Sequence, residues 1–114
     1  MKLIENLSKE QYESFCKEHI NQSHFLHSYV WGQFQKQERN VQPYYIGYED
    51  EAKKLVAVAL LLKRPLMLGY TYFYSPRGYI IDYQNEELLE SFTKDLQEFA
   101  KRKKALFIKI DPDI

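Results

Sequence analysis

The chain has 114 residues, enough for one domain with one hydrophobic core. Its 16 basic and 16 acidic side chains cancel, so the overall charge gives no footprint for nucleic acid or an anionic membrane, and any anion site must be local. Cys16 is the single cysteine, which excludes an internal disulfide and fits a reducing compartment. Because no apolar run reaches membrane-spanning length and no signal-peptide pattern is visible, we expect a cytoplasmic protein.

The first predicted element is a short strand over residues 2–6. A helix is predicted to follow it. Ser8 is the expected N-cap of this helix, and Gln11 completes a capping box with it. The helix should continue to about His19. Its apolar face is formed by Tyr12, Phe15 and Cys16. A thiol on such a face, with no base near it in sequence, is expected to be a buried structural group and not a nucleophile.

A second helix is predicted over residues 28–37. Its expected buried stripe is Val30, Trp31 and Phe34. Its polar face should carry Gln33, Lys36 and Gln37. His24 and His27 precede it with a spacing that metal ligands can have, but no third ligand stands at a suitable distance, so we predict no metal site.

Three strands follow, over residues 41–48, 54–64 and 70–74, and the short turns between them predict an antiparallel meander. Residues 55–62 have no polar alternation, which is typical of a central strand buried on both faces. In the third strand, tyrosines alternate with Thr71 and Phe73. Pro76 is expected to end the pairing near Ser75, because proline lacks a ladder donor.

The sequence Ser-Pro-Arg-Gly at residues 75–78 is a candidate anion site. Gly78 can adopt a positive φ that lets backbone N–H groups converge, and Arg77 adds a forked cation beside them. The alternative is a surface turn with a solvated arginine.

The last predicted helix begins at the N-cap Asn85 and ends in the basic run of residues 101–104. That run complements the helix dipole; contact with RNA is the alternative. Residues 105–110 form a final strand, and strand–helix–strand order predicts that it lies parallel to the tyrosine strand with a right-handed crossover.

If these two parallel strands are neighbours, Arg77 and Asp111 lie at the same carboxyl edge, where open sheets bind ligands. Alternation places Leu106, Ile108 and Ile110 on one face of the last strand. It places Phe107, Lys109 and Asp111 on the other face. Lys109, Asp111 and the Arg-Gly turn would then form a mixed-charge cleft. The alternative is a simple Lys109–Asp111 ion pair at a strand end.

This order of elements resembles the front part of an acetyltransferase-like (GNAT) fold. We therefore predict an α+β class: a mixed, mostly antiparallel sheet with a terminal βαβ unit and helices packed on it. Acyl-CoA users carry Gln/Arg-x-x-Gly-x-Gly/Ala after the fourth strand. Here Arg77 and Gly78 are followed by Tyr-Ile-Ile, so a CoA loop is not supported and no cofactor is expected.

Four motifs are similar instead to the Fem family (FemABX) of peptidoglycan interpeptide-bridge aminoacyltransferases. They are His-Ser-Tyr-Val-Trp-Gly at 27–32, Leu-Leu-Lys-Arg at 61–64, Tyr-Phe-Tyr-Ser-Pro-Arg-Gly at 72–78 with Asp82 after it, and Phe-Ile-Lys-Ile-Asp-Pro at 107–112. The resemblance covers the chain nearly end to end.

The resemblance implies transfer of an amino acid from aminoacyl-tRNA to the amine of a UDP-linked or lipid-linked muropeptide precursor, in the cytoplasm or at the inner face of the membrane. Family members pair two GNAT-like domains, so residues 1–114 are expected to be a partial first domain that binds precursor and is inactive alone. Asp111 matches the strand-end aspartate near the acceptor amine. Family members carry a basic residue two positions after the tryptophan of the second helix. In this chain that position is Gln33, and the nearest cation is Lys36.

The resemblance makes Asp111 the candidate catalytic residue, and Arg77, Gly78, Lys36 and Lys109 the candidate precursor-binding residues. Aminoacyl-tRNA would bind through parts absent from these residues. Two alternatives stay open. One is a non-catalytic binding or dimerisation module that pairs through an open sheet edge to give a homo-oligomer. The other is an acyl-CoA N-acetyltransferase, which the missing glycine loop disfavours.

Overall fold

The computed structural model describes residues 1–19, 29–39, 41–65, 67–77 and 79–112. For residues 38, 39, 67, 76, 77, 111 and 112 it describes the backbone alone. The predictions for His24, His27, the start of the second helix at Ser28, and Gly78 therefore fall outside the described residues.

The described chain contains five strands and three α-helices. In chain order they are β1 Lys2–Ile4, α1 Lys9–Glu18, α2 Tyr29–Arg39, β2 Gln42–Glu49, β3 Leu55–Pro65, β4 Thr71–Arg77, α3 Glu86–Arg102 and β5 Ala105–Pro112. A short 3-10 turn, Met67–Gly69, precedes β4. None of the described helices combines the length and apolar character needed to cross a membrane.

The strands form one sheet in the order β1-β2-β3-β4-β5. β1 to β4 are antiparallel to their neighbours, whereas β5 runs parallel to β4 after the crossover through α3. The predicted meander, βαβ unit and α+β class are confirmed.

β3 is the central strand, as the unbroken apolar run predicts. Every residue from 57 to 62 has 0% of its surface exposed, so both faces of the strand are covered. Burial of this run supplies the hydrophobic free energy that holds the two layers of helices on the sheet.

Each face of the sheet has its own hydrophobic core. One core joins β2, β3 and β4 to α3, chiefly through Phe73, Phe92, Leu96 and Phe99. The opposite core joins the sheet to α1, chiefly through Tyr12, Phe15, Tyr45 and Leu60. Tyr12 and Phe15 are buried as predicted, and Cys16 is half-buried beside them.

Local capping signals give the helices their starts. The Ser8 hydroxyl accepts from the N–H of Gln11, and the Gln11 side chain accepts from the N–H of Ser8, which is the predicted capping box. Asn85 caps α3 by accepting from the N–H of Leu88.

The predicted buried stripe of α2 is wrong at Val30 and Phe34, whereas Trp31 is half-buried and packs against the core on the α1 side of the sheet. Val30 and Phe34 have 62% and 44% of their surfaces exposed, whereas Gly32 and Gln35 are buried. The helix is rotated because its smallest residue, Gly32, permits the closest approach to β2.

The predicted end of β4 near Ser75 is correct for its pairing with β3 but not for its pairing with β5. Pairing with β3 stops at Tyr74, but pairing with β5 continues through Pro76 to Arg77. A proline removes one N–H donor, and its neighbours can still pair with the adjoining strand.

Candidate functional site

A polar cavity of about 560 Å³ lies between the start of α1, the α2 helix and the start of β2. Its lining side chains include Ser8, Lys9, Tyr29, Gln33, Lys36, Gln42 and Tyr45. We call this space the α1–α2 cavity. Among the described residues that line it, two are lysines and none is a carboxylate. Its chemistry therefore suits an anionic, hydrogen-bonding ligand.

The floor of the cavity depends on a close contact between α2 and β2. A Cβ built on Gly32 would lie 2.2 Å from the Tyr45 hydroxyl oxygen, so the helix packs this closely only because residue 32 has no side chain. The Tyr29 and Tyr45 rings stack with their centroids 4.5 Å apart. The Tyr12 ring meets Tyr45 edge-on at 5.1 Å.

The Tyr45 hydroxyl is held on both sides by α2. It donates to the Tyr29 carbonyl at 3.0 Å and accepts from the Gln33 side-chain amide at 3.2 Å. Burial raises the pKa of Tyr45 to about 12, so the hydroxyl is neutral at physiological pH. It positions Gln33 and the helix backbone and does not act as a base.

The cations of the cavity come from two helices. Lys36 is an exposed residue on the third turn of α2. Lys9 is the first residue of α1, and its Nζ lies 5.9 Å from the centroid of the Tyr29 ring. The positive end of the α1 dipole faces the same space, since Ser8 lines it. The three sources of positive potential converge where Lys36 was predicted to contact phosphate.

The other predicted site residues lie on β4 and β5. Tyr74 is paired with Lys109, Pro76 with Asp111, and Arg77 with Pro112. Arg77 and Asp111 thus lie at the same end of two neighbouring parallel strands, which confirms that geometric prediction. Lys109 is exposed. The side chains of Arg77 and Asp111 fall outside the described residues, as does Gly78, so the anion-binding turn and the role of Asp111 stay predictions.

The structure separates these two groups of candidates. The α1–α2 cavity rests on β2, and β3 lies between β2 and β4, which puts the groups at least about 9–10 Å apart across the sheet. Arg77, Lys109 and Asp111 therefore form one strand-end group, and Lys36 belongs to another. A ligand that contacts both must be elongated.

The predicted alternation along β5 holds in part, because the register of the β4–β5 pairing shifts between Ala105 and Ile108. Leu106, Ile108 and Ile110 line an apolar cavity of about 330 Å³ between β5 and α3. Phe107 lines the same cavity, and its ring stacks on Tyr72 with the centroids 5.1 Å apart.

Sequence reasoning missed three residues of the α1–α2 cavity: Lys9, Tyr29 and Tyr45. The available signal was Gly32, a glycine within a helix with Tyr29 one turn before it and Gln33 beside it. A helix-interior glycine marks close approach of another element, and that element carries Tyr45.

Comparison with solved structures identifies the fold as GNAT-like. A Trypanosoma brucei acetyltransferase superposes with a TM-score of 0.62 at 15% identity over 98% of this chain and 82% of the other, a likeness that shows the fold alone. A crystal structure of FemX superposes with a TM-score of 0.85 at 30% identity, covering 100% of this chain and 28% of the FemX chain.

The FemAB family model matches residues 7–114, and the chain belongs to the FemAB family. It is 30% identical to aminoacyltransferase FemA of Staphylococcus epidermidis and 31% identical to that of Staphylococcus aureus, over 108 residues in each case. The chain spans 25% of the length of these curated relatives, and 94% of its own residues are covered. The predicted family and fold are confirmed.

Proposed function

We propose that this chain is the precursor-binding part of an aminoacyltransferase of peptidoglycan synthesis. The complete enzyme transfers an amino acid from aminoacyl-tRNA to the amine of a muropeptide precursor. The observation that carries the proposal is the family membership together with the α1–α2 cavity, a polar space with two lysines placed for an anionic ligand.

The reaction is aminolysis of an activated ester. The precursor amine attacks the ester carbonyl carbon, a C–N bond forms, the bond to the tRNA ribose oxygen breaks, and the amine gives up one proton. Binding energy serves mainly to hold the amine against the carbonyl. We assign Asp111 to orienting the amine, Lys36 to contact with the precursor pyrophosphate, and Arg77 to contact with a nearby anionic group of the precursor. Lys109 is a secondary contact.

The separation of the two groups of residues supports an elongated ligand. A muropeptide precursor has its pyrophosphate at one end and its acceptor amine on the peptide at the other. The α1–α2 cavity suits the first, and the end of β5 suits the second. Such a ligand spans the width of β3 without any movement of the sheet.

The first experiment tests catalysis. We expect no product when the 114-residue chain is mixed with aminoacyl-tRNA and a muropeptide precursor, because the chain spans 25% of its relatives' length and the acyl-donor side belongs to the remainder. A longer protein that contains these residues should give product. Robust turnover by the 114 residues alone would contradict the division of labour proposed here.

The second experiment tests binding, by calorimetric titration with a UDP-linked muropeptide. A charge-assisted hydrogen bond contributes about 1.5–3 kcal/mol, so Arg77→Ala in the longer protein should weaken binding by roughly one to two orders of magnitude. Lys36→Gln should weaken it about five- to tenfold, since it removes one charge of the cavity. The control is Lys94→Gln, an exposed lysine of α3 outside the cavity. Unchanged affinity in both variants, with the fold intact, would leave these cations as solvated surface groups.

A second candidate function is a binding or dimerisation module that pairs through β5. Within the described sheet β5 is an edge strand, and Leu106, Phe107 and Ile110 are exposed on it. Edge strands with apolar side chains recruit further strands. Sedimentation equilibrium of the chain tests this: a dimer that Phe107→Lys dissociates supports it, and a monomer at all concentrations contradicts it.

A further inference from the structure

The connection from β3 to β4 presents apolar side chains to solvent. Leu68 has 92% of its surface exposed and Tyr70 52%, and Pro65 is exposed at the end of β3. We call Pro65, Leu68 and Tyr70 the apolar tip. Leu68 also has a positive φ of 62°, a conformation that glycine and asparagine adopt far more readily than leucine. Neither burial nor backbone preference explains a leucine here.

Basic side chains lie at the same end of the sheet as the apolar tip. They come from the end of β3, the last turn of α3 and the turn that follows it: Lys63, Arg64, Lys101, Arg102, Lys103 and Lys104. We call these six residues the basic rim. The two ends are held together because Thr71, the first residue of β4, pairs with Ala105 and donates its hydroxyl to the Lys104 carbonyl at 3.2 Å.

The basic rim keeps most of its charge. Arg102 forms an ion pair with Glu5, and Glu98 lies one turn earlier in α3. Those two carboxylates leave an excess of positive charge at this end of the described sheet. Arg64 stacks on the Tyr74 ring at 4.3 Å, a contact that fixes the guanidinium without neutralising it. The neutral net charge of the whole chain therefore conceals a local cationic surface.

We propose that the apolar tip and the basic rim form a docking surface for an anionic membrane. An exposed apolar tip inserts at the boundary of headgroups and acyl chains, and surrounding lysines and arginines attract anionic lipids. Membrane binding therefore gives a role both to the apolar tip and to the basic rim. A nucleic acid would need the basic rim alone and would leave the exposed Leu68 without a role.

The position of this surface suggests how the proposed precursor-binding function is served, and this part of the inference rests on that proposed function. Gln42, which lines the α1–α2 cavity, is the β2 partner of Lys63 in the basic rim. The cavity and the apolar tip thus lie towards the same end of the sheet. Docking at this end brings the cavity close to a membrane surface, where it can receive the pyrophosphate of a lipid-linked precursor.

The test is co-sedimentation of the 114-residue chain with vesicles of phosphatidylglycerol and phosphatidylcholine, and with vesicles of phosphatidylcholine alone. We expect binding to the anionic vesicles and little to the neutral ones. Leu68→Asn should weaken binding at least about fivefold. It should leave the fold intact, because asparagine tolerates the positive φ. The control is Val30→Asn, which replaces an exposed apolar residue of α2.

A matched pair of double variants tests the basic rim. Lys101→Gln with Lys104→Asn should weaken vesicle binding about fivefold for each charge. Lys94→Gln with Lys53→Asn is the control. Lys94 is likewise an exposed residue of α3, and Lys53 shares the positive φ of Lys104 but lies in the β2–β3 hairpin. The control should bind as the wild type does.

Three results would overturn the proposal: no binding to anionic vesicles, equal binding by Leu68→Asn and wild type, or equal losses in the two double variants. Binding of bulk tRNA that depends on the basic rim but not on Leu68, without vesicle binding, would assign the surface to nucleic acid and overturn it also. The assay contains no precursor, so failure of the proposed transferase function leaves its outcome unaffected.

Discussion

Gly32 of α2 and Tyr45 of β2 approach so closely that a Cβ on the glycine would meet the tyrosine hydroxyl oxygen at 2.2 Å. This contact sets the rotation of α2. It turns Val30 and Phe34 outwards and brings Gln33 and Lys36 to the α1–α2 cavity. The cavity that we assign to the precursor therefore depends on the absence of one methyl group.

Gly32→Ala should destabilise the protein, although alanine ordinarily stabilises a helix relative to glycine. The added methyl group must displace either α2 or the Tyr45 ring, and overpacking of this kind costs about 1–3 kcal/mol. Urea unfolding followed by circular dichroism measures the change. Val30→Ala, at an exposed position of the same helix, is the control and should change stability by less than about 0.5 kcal/mol. A stabilised Gly32→Ala protein would show that the two elements are not in this contact.

Tyr45→Phe should make the free energy of unfolding less dependent on pH in the alkaline range. Burial raises the pKa of Tyr45 from 10.0 to about 12 in the folded state, so the unfolded state loses this proton first as the pH rises. The stability that the protonated tyrosine contributes is fully present below pH 10 and is lost as the pH rises to about 12. Because the hydroxyl also lines the α1–α2 cavity, where solvent screens it, the loss is at most about 2–3 kcal/mol. The phenylalanine variant should show a shallower fall of stability across that window in pH-dependent urea melts. Parallel curves for the two proteins would contradict the buried position of the hydroxyl.

Ser8→Ala should lower stability by about 1 kcal/mol, because it removes the side-chain acceptor for the N–H of Gln11. Ser14 is exposed within α1, and Ser14→Ala is expected to be neutral or slightly stabilising. Thermal unfolding of the two variants under the same conditions provides the comparison. Equal melting temperatures would mean that the capping box does not stabilise α1.

Cys16 should react slowly with iodoacetamide in the folded protein. Burial raises the pKa of the Cys16 thiol from 9.0 to about 11, so the reactive thiolate is about a hundredfold scarcer at neutral pH than in an ordinary cysteine. The labelling rate should rise about tenfold per pH unit up to that value, and denaturant should restore the ordinary rate. Fast labelling of the native protein at pH 7 would point to an activated thiol.

The elements and their order can be predicted from the sequence, because the signals that define them are local. The capping box at Ser8, the N-cap Asn85 and the unbroken apolar run of β3 each act through neighbouring residues or through simple burial. The pairing of β4 with β5 also followed, since a strand–helix–strand unit closes in one hand and one direction. Those rules predict that Arg77 and Asp111 lie at one end of adjacent strands.

The rotation of α2 on the sheet, and the set of side chains that share a cavity, depend on contacts between elements distant in sequence. The apolar pattern of α2 favoured the face of Val30 and Phe34, and the close approach at Gly32 outweighed it because packing depends on the partner surface of β2 as well as on the helix. Lys9 joins Lys36 only through the folding of α1 against α2. The basic rim likewise gathers residues some forty positions apart in sequence, from the end of β3 and the end of α3, so its charge was invisible in a net total of zero.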